Sequence, residues 1–249
     1  MSVRLVLGML IVAAGLSAVP AQAQGRGGNA PSSARASAPI DLTGYWVAVV
    51  NEDWRYRMVT PPKGEYRGVP LTKAALQVVN EWDPAKDEAA GEQCKSYGAA
   101  AVMRLPARLH ITWQDDNTLR VDVDAGTQMR LFRFEPGAAA ASQPSWQGDS
   151  TAQWERSGGR GGLPATGSLT VITKNMRAGY LRKNGVPYSA DANLTEYFDI
   201  SPSAGGQLLV VTSIVDDSRY LLQPFIVSSH FKKEADGSQW DPTPCSSRW

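Results

Sequence analysis

Cysteine and histidine are scarce in this sequence, with two of each among 249 residues. So few ligands argue against a zinc site built from Cys and His. The aspartates between positions 115 and 124 do not form the D-x-[DN]-x-[DN]-G loop that binds calcium, and the glycines of 158–162 lack the G-K-[ST] of a phosphate loop. A G-x-S-x-G nucleophile elbow is missing as well. We therefore predict no metal and no cofactor.

The sequence also has almost no excess of charge of either sign, because 25 Lys and Arg stand against 24 Asp and Glu. Binding to nucleic acid or to an anionic membrane face depends on a marked positive excess or a basic patch. We therefore do not expect nucleic acid as a partner. The charge balance carries no information about oligomeric state.

Long apolar runs are missing except near the N-terminus, between Leu5 and Val19. This run follows Arg4 and precedes the small-x-small site that ends at Ala23. One positive charge, a short apolar region and such a site make up a secretory signal peptide. A membrane span needs roughly 20 apolar residues, so stable membrane insertion is not expected. We predict a signal peptide over 1–23, cleavage near Ala23, and a periplasmic or secreted mature protein.

Export bears on the cysteines, because disulfides persist in oxidising compartments. Cys94 and Cys245 most economically form one disulfide, although two free thiols remain the alternative. Residues 24–39 are mostly Gly, Ser, Ala and Pro, which cannot bury enough apolar surface to offset the entropy of ordering. We therefore predict a flexible leader over 24–39 and a single domain over 40–249.

The clearest structural signal lies at 108–134. Leu109, Ile111 and Trp113 alternate with polar residues, and a second alternating segment follows after Asp115-Asp116-Asn117. A period of two is typical of a half-buried antiparallel strand, and Asp, Asn and Gly favour the turns between strands. The segment therefore predicts three consecutive strands with one apolar and one polar face.

Outside this segment the pattern adds one helix and several more strands. Apolar residues at helical spacing over 71–82, with Thr72 as N-cap and Pro84 just beyond, predict an amphipathic helix after the first strand. With the segments near 145–156, 168–176, 193–200, 207–215 and 220–232, the strand count reaches about nine. We predict an all-β, antiparallel up-and-down β-barrel of about 8–9 strands, preferred over a sandwich because closure removes exposed edges.

Gly44-Tyr45-Trp46 on the first strand resembles the G-x-W signature of the lipocalins. That resemblance implies a lipocalin-like, or calycin-like, barrel in which the Trp packs across the closed end. It also implies that the disulfide ties the C-terminal tail to the barrel wall. The start D-L-T-G-x-W-V is similar to that of uncharacterised exported bacterial proteins, which implies no activity.

His110 and Asp122 are the candidate catalytic residues if the polar face of the strands lines a cavity, since a histidine beside a carboxylate can act as general acid and base. The alternative is that both face solvent. Asp53 to Arg57 concentrates aromatics and guanidiniums that could form the mouth of a ligand site. A second such cluster, with Arg182, surrounds the Asn184-Gly185 turn. The candidate ligand-binding residues are Trp46, Trp54, Arg55, Arg57, Trp113, Arg130, Trp154 and Tyr180.

Three functions follow from these features. The first is an exported barrel that binds a small, largely apolar or amphipathic ligand, since eight Trp and eight Tyr are available to line a cavity. The second is an isomerase, cyclase or hydratase on the same barrel that needs no cofactor. The third is an envelope interaction protein whose interior is simply packed. The sequence ranks binding first, because the apolar face of 108–134 is expected to point inward.

Overall fold

The period-two segment 108–134 forms three antiparallel strands, as its alternation predicts. The computed structural model describes residues 33–135, 143–158 and 166–248. The predicted signal peptide and the leader up to residue 32 lie outside the described residues. The barrel strands are β1 (Gly44–Ala48), β2 (Arg108–Asp115), β3 (Thr118–Val123), β4 (Gln128–Arg133), β5 (Asp149–Ser157), β6 (Thr166–Lys174), β9 (Asn193–Ser203), β10 (Gly206–Asp216) and β11 (Phe225–Glu234), and the strands β7 (Gly179–Arg182) and β8 (Val186–Tyr188) form a separate hairpin.

The nine strands close into a barrel in the order β1-β11-β10-β9-β6-β5-β4-β3-β2. Adjacent strands of the barrel pair antiparallel, except that β4 and β5 pair in parallel through Phe132 and Arg133. The prediction of an all-β, largely up-and-down barrel is therefore confirmed. The β7–β8 hairpin, inserted between β6 and β9, is not part of the wall.

The apolar face of β2 and β3 points into the barrel, as expected. Leu109, Ile111 and Val121 are fully buried, and they pack with large side chains from the other strands. The side chains that fill this part of the interior include Trp46, Phe132, Phe198 and Phe231, each with 0 % exposure. The middle of the barrel is therefore occupied by its own side chains.

One end of the barrel, called here the helical end, is covered by short helices and the β7–β8 hairpin. The predicted helix is present as α2 (Lys73–Glu81), and Thr72 caps it by accepting a hydrogen bond from the backbone N–H of Ala75 at 3.3 Å. Further helices, not predicted, are α1 (Trp54–Arg57), α3 (Pro84–Ala89), α4 (Ala99–Val102) and a 3₁₀ helix (Gln93–Tyr97). Apolar side chains of α2, α4 and the hairpin pack with Leu194, Val215 and Phe225 of the barrel.

Residues 33–42 cover the opposite end. The Trp154 indole N–H donates to the carbonyl of Ala34 at 2.8 Å, and the backbone N–H of Ala34 donates to Asn117 Oδ1 at 2.9 Å. Leu42 is buried in the barrel core. The last residues of the predicted leader thus pack against the barrel. Their backbone groups form hydrogen bonds with residues at the barrel end, and their apolar side chains are covered there.

Cys94 and Cys245 form the predicted disulfide, with their Cα atoms 5.2 Å apart. It ties the 3₁₀ helix to the C-terminal segment, which also contacts the barrel where the backbone N–H of Thr243 donates to the carbonyl of Asp124. A disulfide is compatible with an oxidising compartment. Within the described ranges, no helix combines the length and apolar character that a membrane crossing requires.

Candidate functional site

The predicted catalytic pair lies on the outside of the barrel. His110 stacks on Tyr45 with ring centroids 4.1 Å apart, and Trp240 contacts both rings edge-on. Asp122, opposite His110 in the strand register, is held by two hydrogen bonds from the Arg120 guanidinium. Because the apolar alternation of β2 faces inward, the polar positions must face outward. His110 and Asp122 therefore do not reach the barrel interior.

Three of the predicted ligand-binding residues belong to the packed core or its rim. Trp46 is fully buried, and its indole N–H donates to the carbonyl of Leu42 at 3.0 Å. Trp113 and Trp154 lie at the end covered by residues 33–42, with ring centroids 6.4 Å apart. These indoles contact the protein's own side chains and backbone.

Arg130 is also inside the barrel, where it forms a fully buried ion pair with Glu196 at 2.6 Å. Thr173 accepts a further hydrogen bond from the same guanidinium at 3.2 Å, and Ser150 contacts Thr173 at 2.8 Å. This polar layer separates the core of the barrel from the apolar cluster at the helical end. A buried charge is stable only when it is paired, and Arg130 has its partner.

Tyr180 lies on β7 and its hydroxyl contacts Asp87 Oδ2 at 3.0 Å. Burial, with the neighbouring charges of Asp87 and Glu92 adding to it, raises the pKa of Tyr180. The ammonium of Lys95 lies 5.6 Å from the centre of the Tyr180 ring and also pairs with Asp87. Tyr180 thus fastens the hairpin to α3 and the 3₁₀ helix.

The two aromatic and basic clusters singled out in the sequence meet at the helical end. The first cluster comprises the short helix α1 (Trp54–Arg57) and its N-cap Asp53, and the second includes Arg182 at the end of β7. The Arg182 guanidinium lies 4.1 Å from the centre of the Tyr56 ring. Such stacking of a cation on an aromatic face is favourable. The contact joins α1 to the hairpin.

Three arginines lie together here, and we call Arg57, Arg104 and Arg182 the arginine cluster. They are 2, 7 and 6 % exposed, respectively. Arg57 donates through Nε to the carbonyl of Arg104 and through Nη1 to the carbonyl of Val49, both at 2.9 Å. Arg104 pairs with Asp53 at 3.1 Å. The cluster therefore holds three positive charges with one carboxylate in direct contact.

The donors of the arginine cluster are incompletely paired. Arg57 Nη2 and the Nε and Nη1 of Arg182 are buried and have no hydrogen-bond partner among the residues that the structure describes. The nearby carboxylate of Glu52 contacts His230 Nδ1 at 2.7 Å. Burial lowers the pKa of Arg182 to about 10, and repulsion from Arg104 adds to this effect. The same two causes lower the pKa of Arg57.

Asp53 is held in an unusual backbone conformation where it meets Arg104. Its φ of 54° and ψ of 30° place it in the left-handed region, which costs a residue with a Cβ about 1 kcal/mol or more. Asp tolerates this region better than most residues. Asp53 makes its ion pair with Arg104 from this left-handed position, directly before α1.

A cavity of about 200 Å³ lies next to the cluster, and its apolar lining is formed by Trp54, Tyr56, Val59, Pro61 and Pro62. Arg55, Glu65 and Arg67 add charge at its edge, and Glu65 pairs with Arg67 at 2.9 Å. Trp54 is 53 % exposed, which is unusual for so large an apolar side chain. We call this cavity the Trp54 pocket.

The walls of the Trp54 pocket are fixed to the hairpin. The Asn184 side-chain amide donates to the carbonyls of Pro62 and Glu65 at 3.1 and 2.7 Å. Gly185, the next residue, has a φ of 81°, and a Cβ there would lie 2.3 Å from Trp82. The Asn184-Gly185 turn therefore anchors the pocket segment on one side and packs against the end of α2 on the other.

The sequence indicated part of this site. Trp54, Arg55 and Arg57 were expected at a ligand mouth, and the structure brings them to the pocket or the cluster. Arg104 was not expected, because it follows a short alanine-rich helix that carries no periodic signal. Among the described residues, no group of three or more His, Cys, Asp and Glu side chains could hold a metal ion.

No model of a known protein family matches this chain, and a search of curated proteins also returned no match. The fold and the pocket therefore define the protein only as a closed all-β barrel with a covered helical end. Any function has to come from the chemistry of the site itself.

Proposed function

We propose that this protein is an exported, lipocalin-like barrel that binds a small amphipathic molecule in the Trp54 pocket. The observation that carries the proposal is an open apolar cavity whose indole is half exposed, beside a cluster of buried guanidiniums. Aromatic and prolyl walls with a few charged groups at the edge are typical of small-molecule sites.

The size of the pocket limits the ligand. At about 200 Å³ it is smaller than the roughly 300–1,000 Å³ of most ligand pockets. A single ring or a short branched chain fits this volume, and any longer part of a ligand would extend into solvent because the cavity is open. The ligand is therefore a small molecule with one apolar part.

The position of the pocket differs from the site first expected for a lipocalin-like barrel. The barrel centre is filled by Trp46 and by Phe132, Phe198 and Phe231. The site instead lies at the helical end, where residues 49–67 cross the rim. Binding at the mouth of a barrel is a common arrangement.

Export supports the same function, because a binding protein outside the cytoplasm meets small molecules directly. The proposal includes cleavage near Ala23, with the folded domain beginning near residue 40. The Cys94–Cys245 disulfide is compatible with this compartment.

Native mass spectrometry tests the proposal. The chain is expressed with residues 1–23 in a bacterial host, recovered from the periplasm or the medium, and measured under non-denaturing conditions. We expect a retained small molecule that Trp54→Ala loses by at least about tenfold in occupancy, since aromatic anchors dominate such sites. Arg120→Ala, on the outer face of β3, is the matched control and should retain the molecule.

A fluorescence titration completes this test. The compound released by denaturation is returned to the apo protein, and quenching of tryptophan emission should saturate in the wild type and in Arg120→Ala. If the exported protein carries no compound, or if Trp54→Ala binds it as well as the wild type does, the Trp54 pocket is not the binding site.

A further inference from the structure

We propose that the arginine cluster is an oxyanion site that takes the carboxylate or phosphate group of the ligand. This deepens the function proposed above and rests on it for the identity of the pocket. The cluster is a separate set of atoms, however, and can be tested with simple anions alone.

Charge is the first reason. Arg57, Arg104 and Arg182 are all at least nine-tenths buried, and Asp53 is the carboxylate in direct contact with them. Buried charges of one sign destabilise a fold unless an opposite charge compensates them. Arg57 and Arg182 have no carboxylate in salt-bridge contact among the described residues, and the charges of Glu52, Asp53 and Glu65 act on them only from a greater distance. An anion of charge −1 or −2 would compensate the two guanidinium charges.

Unused hydrogen-bond donors are the second reason. Arg182 presents Nε and Nη1 without a partner, and Arg57 presents Nη2 without one, among the residues described. Nε and Nη1 lie on different edges of the guanidinium, so each of them can donate a single charge-assisted hydrogen bond to an oxyanion.

Preorganisation is the third reason. Arg57 is held by the carbonyls of Val49 and Arg104, and the Arg182 guanidinium lies over the Tyr56 ring, 4.1 Å from its centre. The donors therefore do not have to be ordered when an anion binds, which favours affinity. Gly68 has a φ of 78° and passes close to Arg182. A Cβ built on Gly68 would lie 3.8 Å from Arg182 Nη2.

Tyr56 connects the cluster to the Trp54 pocket. One face of its ring carries the Arg182 guanidinium, and the residue also lines the pocket. Arg57, Arg104 and Arg182 do not themselves line the pocket, so a ligand with an apolar part against Trp54 and Pro62 would reach the cluster past Tyr56. The preferred ligand is thus a small organic acid or a phosphate ester with a single apolar group.

Thermal unfolding of the full, oxidised chain in different anions tests the inference. At constant ionic strength, chloride is replaced by acetate, formate or inorganic phosphate. We expect Tm of the wild type to rise by about 5 °C in the preferred anion, as ligand binding to the native state requires. A larger rise in acetate and formate assigns a carboxylate, and a larger rise in phosphate assigns a phosphate group.

Matched variants separate specific binding from general salt effects, which act on every variant alike. Arg182→Gln removes the charge and both unpartnered donors, and Arg182→Lys keeps the charge without the guanidinium donors, so both should lose most of the rise. Arg120→Gln is the control, because its side chain pairs with Asp122 on the outer face of β3 and lines neither the Trp54 pocket nor the cluster. It should respond as the wild type does. An equal rise in Arg182→Gln, or no rise in the wild type, overturns the inference.

A second measurement needs no variant. Nitrogen–proton spectra of the wild type follow the Nε–H signals of Arg57, Arg120 and Arg182, assigned by triple resonance. The signals of Arg182 and Arg57 should shift and saturate with the preferred anion, while the signal of Arg120, on the outer face of β3, stays in place. Unmoved signals of Arg182 contradict an anion site.

The two proposals can fail separately. If a Trp54-dependent ligand is retained but no anion response is seen, the oxyanion site is wrong and the binding function stands. If the anion response is present but no compound depends on Trp54, the cluster binds anions while the proposed function is wrong.

Discussion

Single residues inside this barrel carry charges that the fold must compensate. Arg130 and Glu196 illustrate a compensated case, since two guanidinium nitrogens meet the two carboxylate oxygens at 3.1 and 2.6 Å. The arginine cluster differs, with one ion pair for three charges and three buried donor atoms that lack a described partner, although Arg130 also has an unpartnered donor in its Nε. Charge compensation, and not unpaired donors alone, therefore distinguishes the structural charge pair from the candidate binding site.

Breaking the Arg130–Glu196 pair should therefore cost much stability. Glu196→Gln keeps the side-chain shape but leaves the Arg130 charge unpaired, and we expect the free energy of unfolding in urea to fall by about 3–5 kcal/mol. Replacing both residues by Leu and Met should restore most of the loss. Asp122→Asn breaks the exposed pair with Arg120 on the barrel surface and should cost less than about 1 kcal/mol. Equal effects of the two single variants would contradict this assignment.

Lys183 gives the stability a pH dependence. It is buried, donates to the Tyr97 hydroxyl at 2.6 Å, and burial lowers its pKa to about 7. In the unfolded chain its pKa is about 10.4, so between about pH 7 and 10 the unfolded state binds more protons. The free energy of unfolding therefore rises with pH over this interval.

The measurement compares the wild type with Lys183→Met, which lacks the titrating group. Urea unfolding at intervals from pH 6 to pH 9 should show the wild type gaining stability relative to the variant. A difference that is constant over this range would mean that Lys183 keeps its proton in the folded protein.

At the scale of elements, the sequence predicted the strands and the helix whose residues follow a regular local pattern. The strands of 108–134 follow from strict alternation, and α2 follows from helical spacing with the Thr72 cap. The β7–β8 hairpin was not predicted as strands, because its residues pack on both faces and show no alternation. Its Asn184-Gly185 turn was nevertheless recognisable from composition.

The disulfide adds a covalent link to a C-terminal segment that several hydrogen bonds also hold. The C-terminal segment after β11 is held by Cys245 and by contacts such as Ser246 N–H to the Tyr97 hydroxyl at 3.1 Å. Replacing Cys94 and Cys245 by Ser should lower the free energy of unfolding by about 2–5 kcal/mol. Limited proteolysis should then cut within 236–248 first.

Intact wild-type protein treated without reductant is the control for that experiment and should resist cleavage in this segment. The same double variant should leave the nine-strand barrel folded, since the bond does not lie within the wall. If stability and proteolysis are both unchanged, the segment is held by its other contacts alone.

For the whole molecule, the sequence was sufficient to predict a closed barrel but not the location of its site. Inward alternation predicts that Leu109 and Ile111 form a core, but it does not indicate whether that core is hollow. Whether the centre is filled depends on which large side chains meet across the barrel. Phe132 and Phe198 do so, with their ring centroids 5.3 Å apart. The arginine cluster likewise joins residues from three distant segments, and such long-range contacts leave no local signal.

A barrel with a packed centre and a binding site at its helical end should separate stability from binding. Trp46→Ala removes a fully buried indole, and we expect a loss of about 3–5 kcal/mol in the free energy of unfolding, with ligand affinity of the folded fraction unchanged. Trp54→Ala removes a half-exposed indole. It should change the free energy of unfolding by less than about 1 kcal/mol while it abolishes ligand retention. Urea unfolding and fluorescence titration of both variants measure the two effects. If Trp46→Ala instead weakens binding as much as Trp54→Ala does, the ligand reaches the barrel centre, and the site must be assigned there.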